Sequence, residues 1–377
     1  MIRTATLHDI PALVSVENRC FDTDRLSRRN FRYMITKANA VILADEAEGV
    51  IRGYVLVLFH SGTSLARLYS IAVTPEFRGH GIGASLMKAA EQSALDHDCV
   101  EMRLEVRRDN APSIHLYQKM GYRQFGTYLD YYEDHMEALR FEKRLVPRLE
   151  PEVVSVPFYQ QTLDFTCGPA ALMMGMKALD RELTLNRQLE LRIWRESTTV
   201  FMTSGHGGCG PYGLALAARH RGFDVEVYVN DEGALFVDSV RSAEKKEVIR
   251  LVQEDFLEEL HSAKIPVYYT SLSTTQLKEK FDDGGIPIVL ISSYRIYKEK
   301  FPHWVVVTGF DERFVYVHDP FVDYEASKTD IDCINMPILQ RDFERMARYG
   351  KSGQRSVLIL RRHESHPLPA LPQQQSK

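Results

Sequence analysis

Arg78-Gly-His-Gly-Ile-Gly83 stands between an apolar run, Ala66-Arg-Leu-Tyr-Ser-Ile-Ala-Val73, and an amphipathic stretch at 81–96. A strand, a tight glycine turn and a helix are the simplest reading of that order. Glycine lets backbone amides approach a ligand with no Cβ in the way. The free N–H groups and positive end of the following helix then favour phosphate. Dinucleotide and P-loop folds share the device, so the details discriminate. The loop lacks the Lys-Ser/Thr pair of a P-loop, and no acidic ribose-binding residue follows in a repeating parallel unit.

Outward from this loop, the first 145 residues alternate between helical and strand periodicity. Strands are expected at 2–5, 40–44, 53–59, 65–73, 100–106, 122–129 and 135–144, and helices at 9–20, 27–35, 81–96 and 111–120. Residues 146–157 hold three prolines and no helical period, and read as a linker. A second α/β region is expected over 158–363, with helices first and strands last. The tail, 364–377, is rich in Pro, Gln and Ser and is expected to be disordered. The fold class is therefore α/β (α+β) in two domains, 1–145 and 158–363.

The second region has its own signature, Gln161-Thr-Leu-Asp-Phe-Thr-Cys167-Gly168, followed by an apolar helical stretch. A thiol at a helix N-terminus loses its proton more readily, as a nucleophile must. Gln161 can donate its side-chain amide to an oxyanion together with the Cys167 backbone N–H. Far downstream, His303 opens a strand and Asp319 ends the next. A short turn near Asp311 would bring both to one end of a sheet, where Asp319 can orient the imidazole that activates Cys167. His318 is the rival histidine, but strand alternation points it to the opposite face. Residues 204–211, glycine-rich, read equally as a flap over the site or as a connection capping the next helix. Tyr268, Tyr269 and 294–297 are expected to pack, and 244–259 to be a solvated helix face.

The spacing Arg78-x-x-Gly81-x-Gly83, with the later Leu104-Glu-Val-Arg-Arg-Asp-Asn110 to Tyr117-Gln-Lys-Met-Gly121, resembles the GNAT N-acetyltransferases. It is most similar to the branch that acetylates the N-terminal alanine of a ribosomal protein. That resemblance implies acetyl-CoA as co-substrate, held by Ile71, Val73, Arg78, Gly79, Gly81, Gly83 and Asn110. It also implies Glu105 as general base and Tyr117 as the acid that protonates the departing thiolate. Where the branch carries Phe-Pro-Trp, this chain reads Cys20-Phe21-Asp22-Thr23-Asp24. An acidic lip of that kind suits a cationic acceptor.

The set Gln161, Cys167, His303 and Asp319 resembles the papain-like cysteine peptidases that cleave double-glycine leaders from bacteriocins. This resemblance spans about 155–320 and implies a papain-like fold with those four residues as its catalytic set. Thr166 stands where that family commonly has an acidic residue.

The remaining numbers exclude other classes. A net charge of −4 gives nucleic acid no polyelectrolyte partner. The apolar runs are strand-length, so no membrane association is expected, and the first residues lack a signal-peptide core. Five scattered cysteines suggest reduced thiols and a cytoplasmic location, and no metal site is expected, although Cys209 and His206 lie close in sequence. Two readings follow. One is a bifunctional enzyme, an acetyltransferase acting on a protein or peptide amine joined to a cysteine peptidase. The other keeps the acetyltransferase and makes the peptidase-like half a non-catalytic module that recognises peptide.

Overall fold

The computed structural model describes residues 1–146, 152–198, 207–237, 240, 242–326 and 328–363. Residues 147–151 of the expected linker, residues 204–206 of the glycine-rich 204–211 segment, with His206, and the expected disordered tail lie outside the described residues. The chain divides into two compact units, Met1–Glu150 with Met336–Leu339, and Pro151–Asn335 with Gln340–Lys377. No described helix is long and apolar enough to cross a membrane.

The N-terminal unit runs β1 (Ile2–Thr4), α1 (Ile10–Cys20), α2 (Arg28–Thr36), β2 (Ala40–Ala47), β3 (Val50–Phe59) and β4 (Leu65–Val73). It continues through α3 (Ile82–Asp96), β5 (Glu101–Arg107), α4 (Ala111–Lys119), β6 (Arg123–Tyr128) and β7 (Ala138–Arg144). The seven strands form one mixed sheet in the order β1-β2-β3-β4-β5-β7-β6. β3 shows why it is central: Val55, Val57 and Phe59 enter one core, while Tyr54, Leu56 and Leu58 enter another. Period-two alternation with apolar residues on both faces requires cover on both faces. β2 and β3 run longer than the sequence suggests. Glu48 (φ 51°) and Gly49 (φ 76°) make a two-residue turn with left-handed backbone at both positions, the geometry that joins twisted strands most tightly.

The sheet's single parallel pair positions the site. β4 and β5 are paired only from Leu65–Leu68 to Glu101–Leu104. Opposite β3, Leu56 pairs with Ser70 and Val57 with Leu68, which leaves Tyr69 as an extra residue in β4. A bulge bends its strand, and the two parallel strands part beyond it. The splayed ends carry Ile71 and Val73 on one side and Glu105 on the other.

The C-terminal unit contains β8 (Glu152–Val153), α5 (Cys167–Leu179), α6 (Arg187–Ser197), α7 (Pro211–Arg219), β9 (Phe223–Val229), α8 (Ala243–Ser262) and β10 (Val267–Tyr268). After these come α9 (Thr274–Asp282), β11 (Ile286–Ser292), the single turn α10 (Tyr294–Tyr297), β12 (Pro302–Phe310) and β13 (Phe314–His318). Its sheet runs β10-β9-β14-β11-β12-β13, with β14 spanning Ser356–Arg362 and β8 added against β12. Apart from the parallel β9–β10 pair, these neighbours are antiparallel. α5 is buried from Gly168 through Met176. At Gly175 a Cβ would meet Leu360 Cδ1 at 2.9 Å, so glycine lets this helix lie close on the sheet. In the charged α8, Ile249, Gln253, Phe256 and Leu260 form the buried stripe of an otherwise solvated helix.

Candidate active sites

In the glycine loop, Gly79 and Gly81 take φ values of 80° and 77°, and a Cβ at either would meet nothing within 4 Å. They are required by backbone conformation, beside open space. α3 starts with Gly81 as its cap and no side-chain cap bond, so no side chain covers its first amides. Such a cradle fits a pyrophosphate. Gly83 differs: a Cβ there would press on Leu116 Cδ2 at 3.4 Å, so its smallness serves helix packing. Arg78 ties the loop to β4 by donating Nε–H to the Val73 carbonyl at 2.9 Å, an oxygen that the Cys20 thiol also reaches at 3.4 Å. Asn110 caps α4, its side-chain oxygen accepting from the Ser113 amide at 3.2 Å.

Tyr117 is buried on α4, its ring centroid 6.0 Å from that of Tyr122 and 6.4 Å from that of Phe141. Burial holds its phenol well above the ordinary range, so the group keeps its proton. Glu105 projects opposite to Leu104 and Val106 and meets Arg67 in a two-pronged ion pair, Nε–Oε2 and Nη2–Oε1 both at 3.0 Å. Arg67 also donates to the Tyr131 hydroxyl at 3.0 Å. No sequence pattern marks Arg67 as part of this site. It lies on β4, where Arg67 pairs in register with Arg103 of β5, two residues before Glu105.

In the C-terminal unit, Cys167 is the first residue of α5 and is partly exposed. His303 is buried on β12, with Nε2 2.6 Å from Asp319 Oδ1. The Cys167 thiol is near enough to the same imidazole to help raise its proton affinity. Burial alone draws the His303 imidazolium down; the Asp319 carboxylate, with a smaller part from Cys167, more than reverses this and raises it to about 10. Burial likewise pushes the Asp319 carboxyl up, but His303, the Tyr297 hydroxyl and the Phe321 amide together hold it below its usual range. An imidazolium fixed between a carboxylate and a thiol is the arrangement that supports a thiolate.

His318 faces elsewhere. Its Nδ1 accepts from the Asn335 amide at 2.9 Å and its Nε2 lies 2.8 Å from the Val156 carbonyl, so both ring nitrogens serve the backbone. Gln161 is tied to the Asp319 strand end by its own amide, which donates to the Pro320 carbonyl at 2.9 Å. Its side-chain Nε2 donates to the Leu163 carbonyl at 2.9 Å, leaving the second N–H of that nitrogen available. Trp304 donates Nε1–H to the Cys209 carbonyl at 3.0 Å. A Cβ on Gly168 would lie 3.2 Å from Cys209 Cβ, so glycine after the nucleophile makes room for that loop. Cys209 itself is buried, and burial pushes its thiol well up.

In this unit two residues escaped the sequence reading, the buried Glu190 and the half-buried Tyr297. Glu190, on α6, accepts from Tyr159 Oη (3.0 Å), the Thr162 amide (2.8 Å), Thr162 Oγ1 (2.7 Å) and Thr166 Oγ1 (2.5 Å). One carboxylate thus clamps the loop that carries Gln161 into Cys167. Tyr297 donates to Asp319 Oδ2 at 2.6 Å and Tyr268 stacks on Tyr228 at 4.8 Å between centroids, whereas Tyr269 and Tyr294 are exposed. Helical periodicity marks Glu190 only by sharing a face with Ile193 and Ser197.

Residues 9–122 match the Acetyltransferase (GNAT) family, and residues 156–361 match the Peptidase_C39 like family. An N-alpha-acetyltransferase of Sulfolobus acidocaldarius is 31% identical over 148 residues, covering 36% of this chain and 88% of that protein. A second, from Sulfurisphaera tokodaii, is 28% identical over 148 residues with the same coverage. The crystal structure of the ribosomal-protein-S18-alanine N-acetyltransferase from Escherichia coli aligns over 40% of this chain and 98% of its own. The TM-score is 0.36 and the identity 21%. The chain therefore belongs to the Peptidase_C39 like family through its C-terminal half and carries ahead of it a GNAT acetyltransferase domain, whose co-substrate is acetyl-CoA.

Proposed function

We propose that the chain is a bifunctional enzyme: an N-acetyltransferase acting on a protein or peptide amine, and a cysteine peptidase built on Cys167, His303 and Asp319. The observation that carries the second activity is the 2.6 Å contact of His303 Nε2 with Asp319 Oδ1, on an imidazole that also faces Cys167. The Cys167 thiolate attacks a peptide carbonyl, and the oxyanion is received by the Cys167 amide and the remaining N–H of Gln161 Nε2. His303 gives its proton to the leaving amine and then takes one from the water that hydrolyses the thioester.

In the N-terminal unit, the amides at the start of α3 and the Gly79–Gly83 loop hold the acetyl-CoA pyrophosphate, with Asn110 and the splayed end of β4 at Ile71 and Val73 flanking it. Glu105 accepts the proton of the incoming ammonium, and Tyr117 returns one to the CoA sulfur. The second proton, shed as the nitrogen becomes an amide, replaces the one Tyr117 gives to sulfur, so Glu105 holds the single proton released overall. The N-alpha-acetyltransferase names of the relatives support an amino-terminal acceptor. All five cysteines are free thiols, which fits a reducing, cytoplasmic setting.

Iodoacetamide at mildly acidic pH, read by peptide mass mapping, tests the nucleophile. Burial raises Cys20, Cys99, Cys209 and Cys333 above the ordinary thiol range. Labelling should therefore concentrate on Cys167. Labelling spread over the other thiols, with Cys167 inert, would leave the C-terminal unit as a recognition module.

A further inference from the structure

Asp319 has three donors around its two oxygens. Oδ1 meets His303 Nε2 at 2.6 Å and the Phe321 amide at 2.9 Å, and Oδ2 takes the Tyr297 hydroxyl at 2.6 Å. Tyr297 belongs to α10, the short turn after β11, and its ring is enclosed. Phe301 stacks on it at 6.0 Å between centroids, while Phe321 and His303 stand edge-on at 5.1 and 5.9 Å. The Lys328 ammonium lies 4.6 Å from the ring centroid, buried and with no hydrogen-bond partner among the described residues. A buried cation that bonds to no oxygen but sits on an aromatic face is held by that face.

We propose that Tyr297 is a positioning residue for the Cys167 chemistry: its hydroxyl fixes the rotation of the Asp319 carboxylate so that Oδ1 faces His303, and Lys328 on its ring strengthens the donor. The torsion that turns a carboxylate is soft, so burial alone does not fix the plane in which an oxygen meets the imidazole. A charge-assisted bond to the other oxygen does fix that plane. A cation over the ring draws electron density from the phenol and makes its O–H a better donor. Burial, reinforced by Asp319, holds the Tyr297 phenol far above its ordinary range, so it stays a donor throughout the working pH.

The other ionisable groups facing this cluster are Cys167, with Cys209 beside it, and Asp323, Lys328, Asp330, Asp332 and Cys333 from the segment after β13. Removing the Tyr297 hydroxyl strands one oxygen of a buried carboxylate and favours its protonated form. The thiolate–imidazolium pair then needs a higher pH to form.

This inference rests on Cys167 being the nucleophile, and one experiment separates the two. The rate of Cys167 alkylation by iodoacetamide is followed on the full chain from about pH 4 to about pH 9, for wild type, Tyr297→Phe and Lys328→Met. The acid midpoint should rise by about one pH unit in Tyr297→Phe, a tenfold loss of thiolate on the acid limb. Lys328→Met should move it less, in the same direction, and decides the matter if Tyr297→Phe does not fold. An unmoved midpoint overturns the positioning role, even if the plateau rate falls, and leaves the nucleophile reading intact. A wild-type Cys167 without acid-side reactivity overturns the nucleophile reading, and this one with it.

Discussion

Exchanging Asp319 for asparagine in a chain that also carries Cys167→Ala isolates the electrostatic work of one carboxylate. Without the thiol, His303 is the group of this site whose proton count differs between folded and unfolded chain above about pH 6.5. In the intact site, burial draws the imidazolium down and Asp319, at 2.6 Å, outweighs burial, for a final value of about 10. The unfolded value is about 6.5. Between those limits the folded chain keeps a proton that the unfolded chain releases. The stability this contributes is complete below about pH 6.5 and is lost as pH rises toward the folded value. The slope is at most about 1.4 kcal/mol per pH unit. Loss of the Cys167 contribution trims the window from its upper end. Asp319, whose carboxyl is held low, contributes stability that is fully present above its ordinary value and is lost only as pH falls below it, outside this range. The assay is urea unfolding followed by tryptophan fluorescence, since both tryptophans, Trp194 and Trp304, lie in the C-terminal unit. The midpoint of Cys167→Ala should fall steadily from about pH 6.5 to about pH 9. The double variant should show no such fall, because asparagine cannot hold a buried imidazolium. Parallel pH profiles for the two variants would refute the electrostatic assignment.

Three further outcomes are expected. Tyr117→Phe removes the only proposed donor to the CoA sulfur, so kcat for acetyl transfer should fall by about a hundredfold or more, with KM for acetyl-CoA changed little. Gly81→Ala meets no steric clash but must adopt φ 77°, at a cost of about 1 kcal/mol, and should raise KM for acetyl-CoA in steady-state kinetics. Glu190→Gln turns an acceptor of four hydrogen bonds partly into a donor facing donors. It should destabilise the C-terminal unit by about 3 kcal/mol in the same fluorescence assay, leaving acetyl transfer intact.

Much of the architecture was readable because it depends on local periodicity. The alternation of β3, the Arg78–Gly83 loop and the placement of Cys167 at a helix start all lie within single short windows. The meeting of His303 with Asp319 was inferable because β12 and β13 are adjacent strands joined by a short turn. Glu190, Tyr297 and Arg67 were not readable, for one reason: each acts through a partner on a different element. Glu190 sits in a helix of charged residues, Arg187, Arg192, Arg195 and Glu196, and only the packing of α6 turns it inward. Tyr297 looked like any tyrosine in an aromatic cluster until the fold brought Asp319, 22 residues away, to its hydroxyl. Arg67 faces Glu105 only because β4 and β5 pair in parallel before they part, which no local pattern encodes.

That both sites work in one chain is tested by intact-mass spectrometry. A peptide library is incubated with acetyl-CoA and with wild type, Cys167→Ala or Tyr117→Phe. A bifunctional chain gives cleaved products that disappear only with Cys167→Ala and acetylated products that are lost only with Tyr117→Phe. Acetylation with no cleavage by any of the three proteins would contradict it and leave the C-terminal unit a peptide-recognition module.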